Sequence, residues 1–189
     1  MQPATLPASL AIADVLTSTA IAHQFVGDLA LLAHGAPRPT QRSEVAAALR
    51  GPHAERVLTT LRAEFEFTTP EPATTPRQPK PPLQLRHRAS GADVTLHTLP
   101  DTDYDRRAVQ RASLLPVADS TLRVASAEDL LLWELRQLPR STEPAPLDPA
   151  LLALLRARAG RWNQCYLLEW SEPLGVAEAL DDLLDAVRT

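Results

Sequence analysis

Residues 25–45, FVGDLALLAHGAPRPTQRSEV, restrict the folding of this chain more than any other stretch. His23 to Val26 read as a short strand. Gly27 and Asp28 then open a short helix, Leu29 to His34, which Gly35 stops. The Ala-Pro-Arg-Pro-Thr run that follows is extended, because each proline biases the residue before it away from helix. Strand, glycine, short helix and extended return must therefore succeed one another within little more than twenty residues.

On either side the pattern alternates between helix and strand. Residues 5–21 place Leu6, Leu10, Ala13, Val15, Leu16 and Ala20 at helical spacing and predict an amphipathic helix. Residues 52–63 predict another, with Val57, Leu58 and Leu61 on one face. Phe65 and Phe67 alternate with Glu64 and Glu66, as in a half-buried strand. Residues 68–82 hold six prolines and read as an exposed excursion without regular structure. Two alternating runs, Leu83 to Arg88 and Ala92 to His97, then flank Ser90-Gly91 and predict a hairpin. Everything later reads as helical. A short helix is expected over 105–114. Ser126, with Asp129 three residues on, resembles a capping box ahead of Leu130, Leu131, Trp133, Leu135 and Leu138. Asp148, Pro149 and Gly160 frame a further helix, and an acidic one covers 176–187.

Charge narrows the function classes. Residues 1–118 carry 12 Lys/Arg against 11 Asp/Glu, and residues 119–189 carry 7 against 12, so neither half holds nucleic acid by field alone. The lone Cys165 rules out an internal disulfide and a cysteine metal cluster. No apolar run reaches the ~18 residues a membrane helix needs. A start without basic residues completes the expectation of a cytoplasmic protein with no membrane role. Single residues have plain readings too. Asp28 is expected to cap its helix, and His34 to satisfy helix-terminal carbonyls. Cys165 is expected in the core, and Trp133, Trp162 and Trp170 as packing anchors.

Val26, Gly27, Ala30, His34, Gly35, Arg38 and Thr40, with Gly91-Ala92-Asp93-Val94 and Ala125-Ser126-Ala127-Glu128-Asp129-Leu130 downstream, resemble in order and spacing the signature of the nucleotidyltransferase superfamily. Bacterial nucleotidyltransferase-like proteins, including toxins of the AbiEii type in toxin–antitoxin pairs, are the resembling group. The resemblance implies an α/β (α+β) fold: a small mixed β-sheet flanked by helices. A core over 1–104, with its 68–82 loop, would be followed by a helical C-terminal region over 105–189. It also implies a phosphate or nucleotide site at Gly27, Asp28, Arg38, Thr40 and Arg42. Glu44 and Asp93 would be catalytic and metal-binding, with Mg²⁺ as cofactor if the protein is active. The physics of such a pattern is plain. A helix start offers unpaired N–H groups to phosphate, and strand carboxylates two residues apart point the same way. With a third carboxylate they can hold two Mg²⁺ ions on the attacking and leaving oxygens.

This chain departs from the pattern in charge. The first metal position carries Arg42 and the second Glu44, leaving only Asp93 unchanged. Asp28 replaces a small residue at the phosphate helix, and Glu134 replaces a lysine of the later helix. A guanidinium does not deprotonate and repels a divalent ion. The pattern also requires a strand at about Glu44 to Leu49, whereas Glu-Val-Ala-Ala-Ala-Leu-Arg is a good helix sequence with Ser43 as a cap. The expected function is thus a nucleotidyltransferase-like protein with lost or weakened Mg-dependent transfer that binds a nucleotide, another phosphate-containing ligand or a protein partner. One alternative is an active enzyme using Glu44, Asp93 and Asp28 to transfer a nucleoside monophosphate to RNA or protein. Others are metal-free phosphate binding by Arg38 and Arg42, and a non-enzymatic interaction module.

Overall fold

The computed structural model describes residues 5–36, 43–69, 81–138, 149–158 and 160–188. Its centre is a seven-stranded mixed sheet in the order β3-β4-β5-β2-β1-β7-β6. The strands are β1 (His23–Val26), β2 (Ser43–Ala47), β3 (Phe65–Phe67), β4 (Leu83–His87), β5 (Asp93–Thr98), β6 (Ser113–Val117) and β7 (Ser120–Val124). β2 runs antiparallel to β1 and parallel to β5, and β1 runs parallel to β7. The helices are α1 (Leu6–Ser18), α2 (Gly27–Ala33), α3 (Gly51–Glu64), α4 (Asp103–Gln110), α5 (Ala127–Gln137), α6 (Pro149–Ala157), α7 (Gln164–Ser171) and α8 (Ala177–Arg188).

Side chains alternate across a strand, so cross-strand partners share a face. One face carries Phe25, Val45, Leu85, Val94 and Leu96, all at most 1% exposed. α1 and α3 pack together, and Ser9 of α1 bonds Ser43 of β2 at 2.8 Å between hydroxyls. The opposite face carries Glu44, Thr95 and His97, and it is this face that Trp133 of α5 reaches.

The expected hairpin forms as β4 and β5, with Gly91 at φ +69. Ser126 caps α5, its hydroxyl accepting the N–H of Asp129. The choice left open after residue 43 resolves as strand over Ser43–Ala47. Helical propensity there is worth only tenths of a kcal/mol per residue, and a central position with a hydrogen-bonded neighbour on each side outweighs it.

The helical reading beyond 105 needs correction at 113–124. These residues form the β6–β7 hairpin and extend the sheet through β1. Its two-residue turn holds Ala118 at φ 49, a conformation that Gly or Asn usually announces. α7 falls within the stretch read as helical, though no bounds were assigned to it, and Cys165 on it is exposed rather than in the core. Arg38, Thr40 and Arg42, the extended Ala-Pro-Arg-Pro-Thr run beyond Ala36, residues 70–80 of the proline-rich stretch and Asp148 lie outside the described residues. No helix among those described is long and apolar enough to cross a membrane.

Candidate functional site at the Gly27–Glu44 corner

β1 ends at Val26, which pairs with Glu44 of β2. The chain then turns through Gly27 at φ +62 and starts α2. A Cβ on residue 27 would lie 3.1 Å from Cδ and 3.2 Å from Oε1 of Glu44, so the glycine is what lets the carboxylate lie against the backbone there. On its other side, Glu44 Oε2 is 3.2 Å from His97 Nε2. The His97 ring meets Trp133 edge-to-face, with centroids 5.0 Å apart at 86°. Trp133 is buried, whereas the Glu44 side chain keeps 31% of its surface and His97 keeps 18%. Glu44 is therefore a solvent-reachable carboxylate fixed from two sides. His97 was missed as a site residue. The available signal was its place four residues after Asp93, on the same face of the same strand.

Asp93 does share that face but engages elsewhere. Its Oδ1 accepts from Arg86 Nε at 2.9 Å and its Oδ2 from Arg86 Nη2 at 3.4 Å, across the β4–β5 pair. Asp28 differs from expectation. The residue preceding α2 is Val26, with no side-chain cap bond, and Asp28 lies in the first helical turn. There its charge complements the helix dipole. His34, at the other end of α2, reaches Ala125 O at 2.8 Å instead of its own helix's carbonyls. Burial holds its pKa below the ordinary value, so it acts as a neutral Nε2–H donor and not as a cation on the helix end.

The Glu128-Asp129 pair of α5 is absorbed into a buried polar cluster. Arg111 donates to Glu128 at 3.0 Å and to Asp129 at 3.2 Å, and lies 3.9 Å over the Tyr166 ring. Ser126 and Tyr166 donate hydroxyls to the two oxygens of Asp129 at 2.5 and 2.6 Å. Glu128 accepts the Asn163 N–H at 3.2 Å. Burial drives the Tyr104 and Tyr166 phenols well above their usual range. These residues tie α5 to α7 and to the end of α4.

Mg²⁺ demands hard oxygen donors in near-octahedral array. The described carboxylates at the expected metal positions are Glu44, beside an imidazole, and Asp93, held by a guanidinium. That set does not fit the three-carboxylate magnesium site the resemblance implies. Among the described residues no group of three or more His, Cys, Asp or Glu is placed to hold a metal ion.

No family model matches this chain, and no curated protein matches it. Solved structures do. A nucleotidyltransferase-like antigenic protein from Paracoccidioides brasiliensis superposes with a TM-score of 0.53 at 14% identity, covering 97% of this chain and 92% of that one. The antibiotic-resistance factor ANT(2'')-Ia gives 0.50 at 12% identity, covering 98% and 94%. The lincosamide antibiotic adenylyltransferase LnuA, solved with lincomycin bound, gives 0.50 at 13%, covering 77% and 92%. The fold is accordingly nucleotidyltransferase-like, as the motif order implied.

Proposed function

We propose that this chain is a nucleotidyltransferase-like protein in which Mg²⁺-dependent nucleotidyl transfer is lost or weakened, and that it binds a nucleotide or a related phosphate-bearing ligand in the cytoplasm. The observation that carries this reading is the engagement of both candidate metal carboxylates by nitrogen groups, Glu44 by His97 and Asp93 by Arg86. The sequence adds Arg42 and Asp28 at positions where opposite or neutral character serves catalysis. Arg38, Thr40 and Arg42 are proposed, together with Gly27, to meet the phosphates. Titration with each of the four nucleoside triphosphates, with and without Mg²⁺, followed by tryptophan fluorescence, tests the reading. Binding that does not depend on Mg²⁺ supports it. Robust Mg²⁺-dependent incorporation of labelled nucleotide into RNA, protein or a small acceptor refutes it.

A second reading, an active transferase with a rearranged acidic set, is favoured by one feature. Glu44 and Asp93 stand on adjacent parallel strands and share a face. In that case Glu44→Gln and Asp93→Ala each abolish transfer while leaving the melting temperature in place.

A further inference from the structure

The nitrogen beside Glu44 changes what ion that corner can hold. His97 Nε2 and Glu44 Oε2 lie 3.2 Å apart. Two ligands of one tetrahedral ion, each ~2.1 Å from it, lie ~3.4 Å apart. The separation of the two atoms thus matches that of two ligands of one ion to within a few tenths of an ångström. Both are partly accessible to solvent, and each is oriented from behind: Glu44 by the missing side chain at Gly27, His97 by the edge contact with Trp133. Glu44 and His97 stand on paired neighbouring strands, so the sheet itself sets their spacing. Imidazole with a single carboxylate suits borderline ions such as Zn²⁺ or Co²⁺, whereas Mg²⁺ selects oxygen donors and dehydrates reluctantly.

We propose that Glu44 and His97 form a two-ligand seat for a divalent transition-metal ion of the zinc and cobalt class, in place of magnesium. The remaining positions are left to water or to ligand phosphate oxygens. The inference deepens the reading of this corner as a nucleotide-type site and rests on it for the phosphate donors, but not for the protein pair.

The test uses the full chain with Cys165→Ser and His53→Asn, because a surface thiol and a surface imidazole bind zinc by themselves. Zn²⁺ and Mg²⁺ are titrated calorimetrically, and Co²⁺ by quenching of tryptophan emission, since Trp133 adjoins His97. One Zn²⁺ per chain is expected, bound at least about tenfold more tightly than Mg²⁺. His97→Gln is expected to weaken Zn²⁺ by about 10–100-fold or more and to leave Mg²⁺ unchanged. Glu44→Gln carries the same expectation for Zn²⁺ should His97→Gln fail to fold. Zinc affinity equal to that of Mg²⁺, or unaltered in both variants, overturns the proposal. A nucleoside triphosphate titration with each ion separates the two ideas. Nucleotide bound without any His97-dependent zinc sinks the inference alone. His97-dependent zinc without nucleotide sinks the nucleotide reading alone.

Discussion

Gly27 and Glu44 touch where β1 gives way to α2: a methyl group added to the glycine would stand 3.1 Å from the carboxyl carbon of the glutamate. Two separate costs follow for Gly27→Ala. Its φ of +62 is strained for any L side chain, and the Glu44 side chain must give way by a few tenths of an ångström. We expect a loss of about 1–2 kcal/mol in urea unfolding. Adding Glu44→Ala should restore the contact part of that loss and leave the backbone part. Full additivity of the two substitutions would show that the side chains do not couple.

Asp129 is fully buried and accepts from Arg111, Ser126 and Tyr166. Removing the carboxylate leaves the buried Ser126 and Tyr166 hydroxyls without their acceptor and takes one of the two acidic partners of the part-exposed Arg111. Asp129→Ala should cost about 3–5 kcal/mol, and Tyr166→Phe about 1–2 kcal/mol. Denaturant midpoints at an unchanged m-value would check both. Neutrality of Asp129→Ala would contradict the cluster as described.

The exposed pair Arg86–Asp93 offers the contrast. Both side chains are about half in water, with 54% and 47% of their surfaces exposed. Solvent and salt screen such a pair, so Arg86→Ala should change stability by no more than about 1 kcal/mol. Thermal melts at low and high ionic strength read this directly, and the small difference should shrink further in salt.

His23 and His34 both have pKa values depressed chiefly by burial. The sign follows from linkage. Below the ordinary value of 6.5 the unfolded chain takes up protons that the native histidines resist. Stability is therefore whole above pH 6.5 and declines as pH falls through it toward the lower native values. Melting temperatures at pH 8, 6.5 and 5 should drop in that order. His34→Gln should make the drop shallower, and an identical slope would exclude His34 as a contributor.

Local chemistry was readable wherever a short-range rule had no competitor. Gly91 marked the β4–β5 hairpin, Ser126 with Asp129 marked the start of α5, and the run around Gly27 marked β1 and α2. The order of these pieces was enough to imply the nucleotidyltransferase-like fold. Where the sequence lacked a marker, the reading failed. The turn at Ala118 adopts a glycine-like conformation without a glycine, so β6 and β7 passed for helix. β2 has helix-forming residues and is a strand only because β1 and β5 bond it on both edges.

The site divides in the same way. Residue identities alone set the charge pattern at Asp28, Arg42, Glu44 and Asp93, because charge is a property of the side chain and needs no neighbours. Whom each charge meets was a matter for the fold. His97 lies 53 residues from Glu44, and its contact exists because β2 and β5 pair in parallel in one register. Asp93 faces Arg86 for the same reason, across β4 and β5. Contacts between distant residues depend on strand register, and register is decided by how the whole sheet buries its apolar face against α1 and α3.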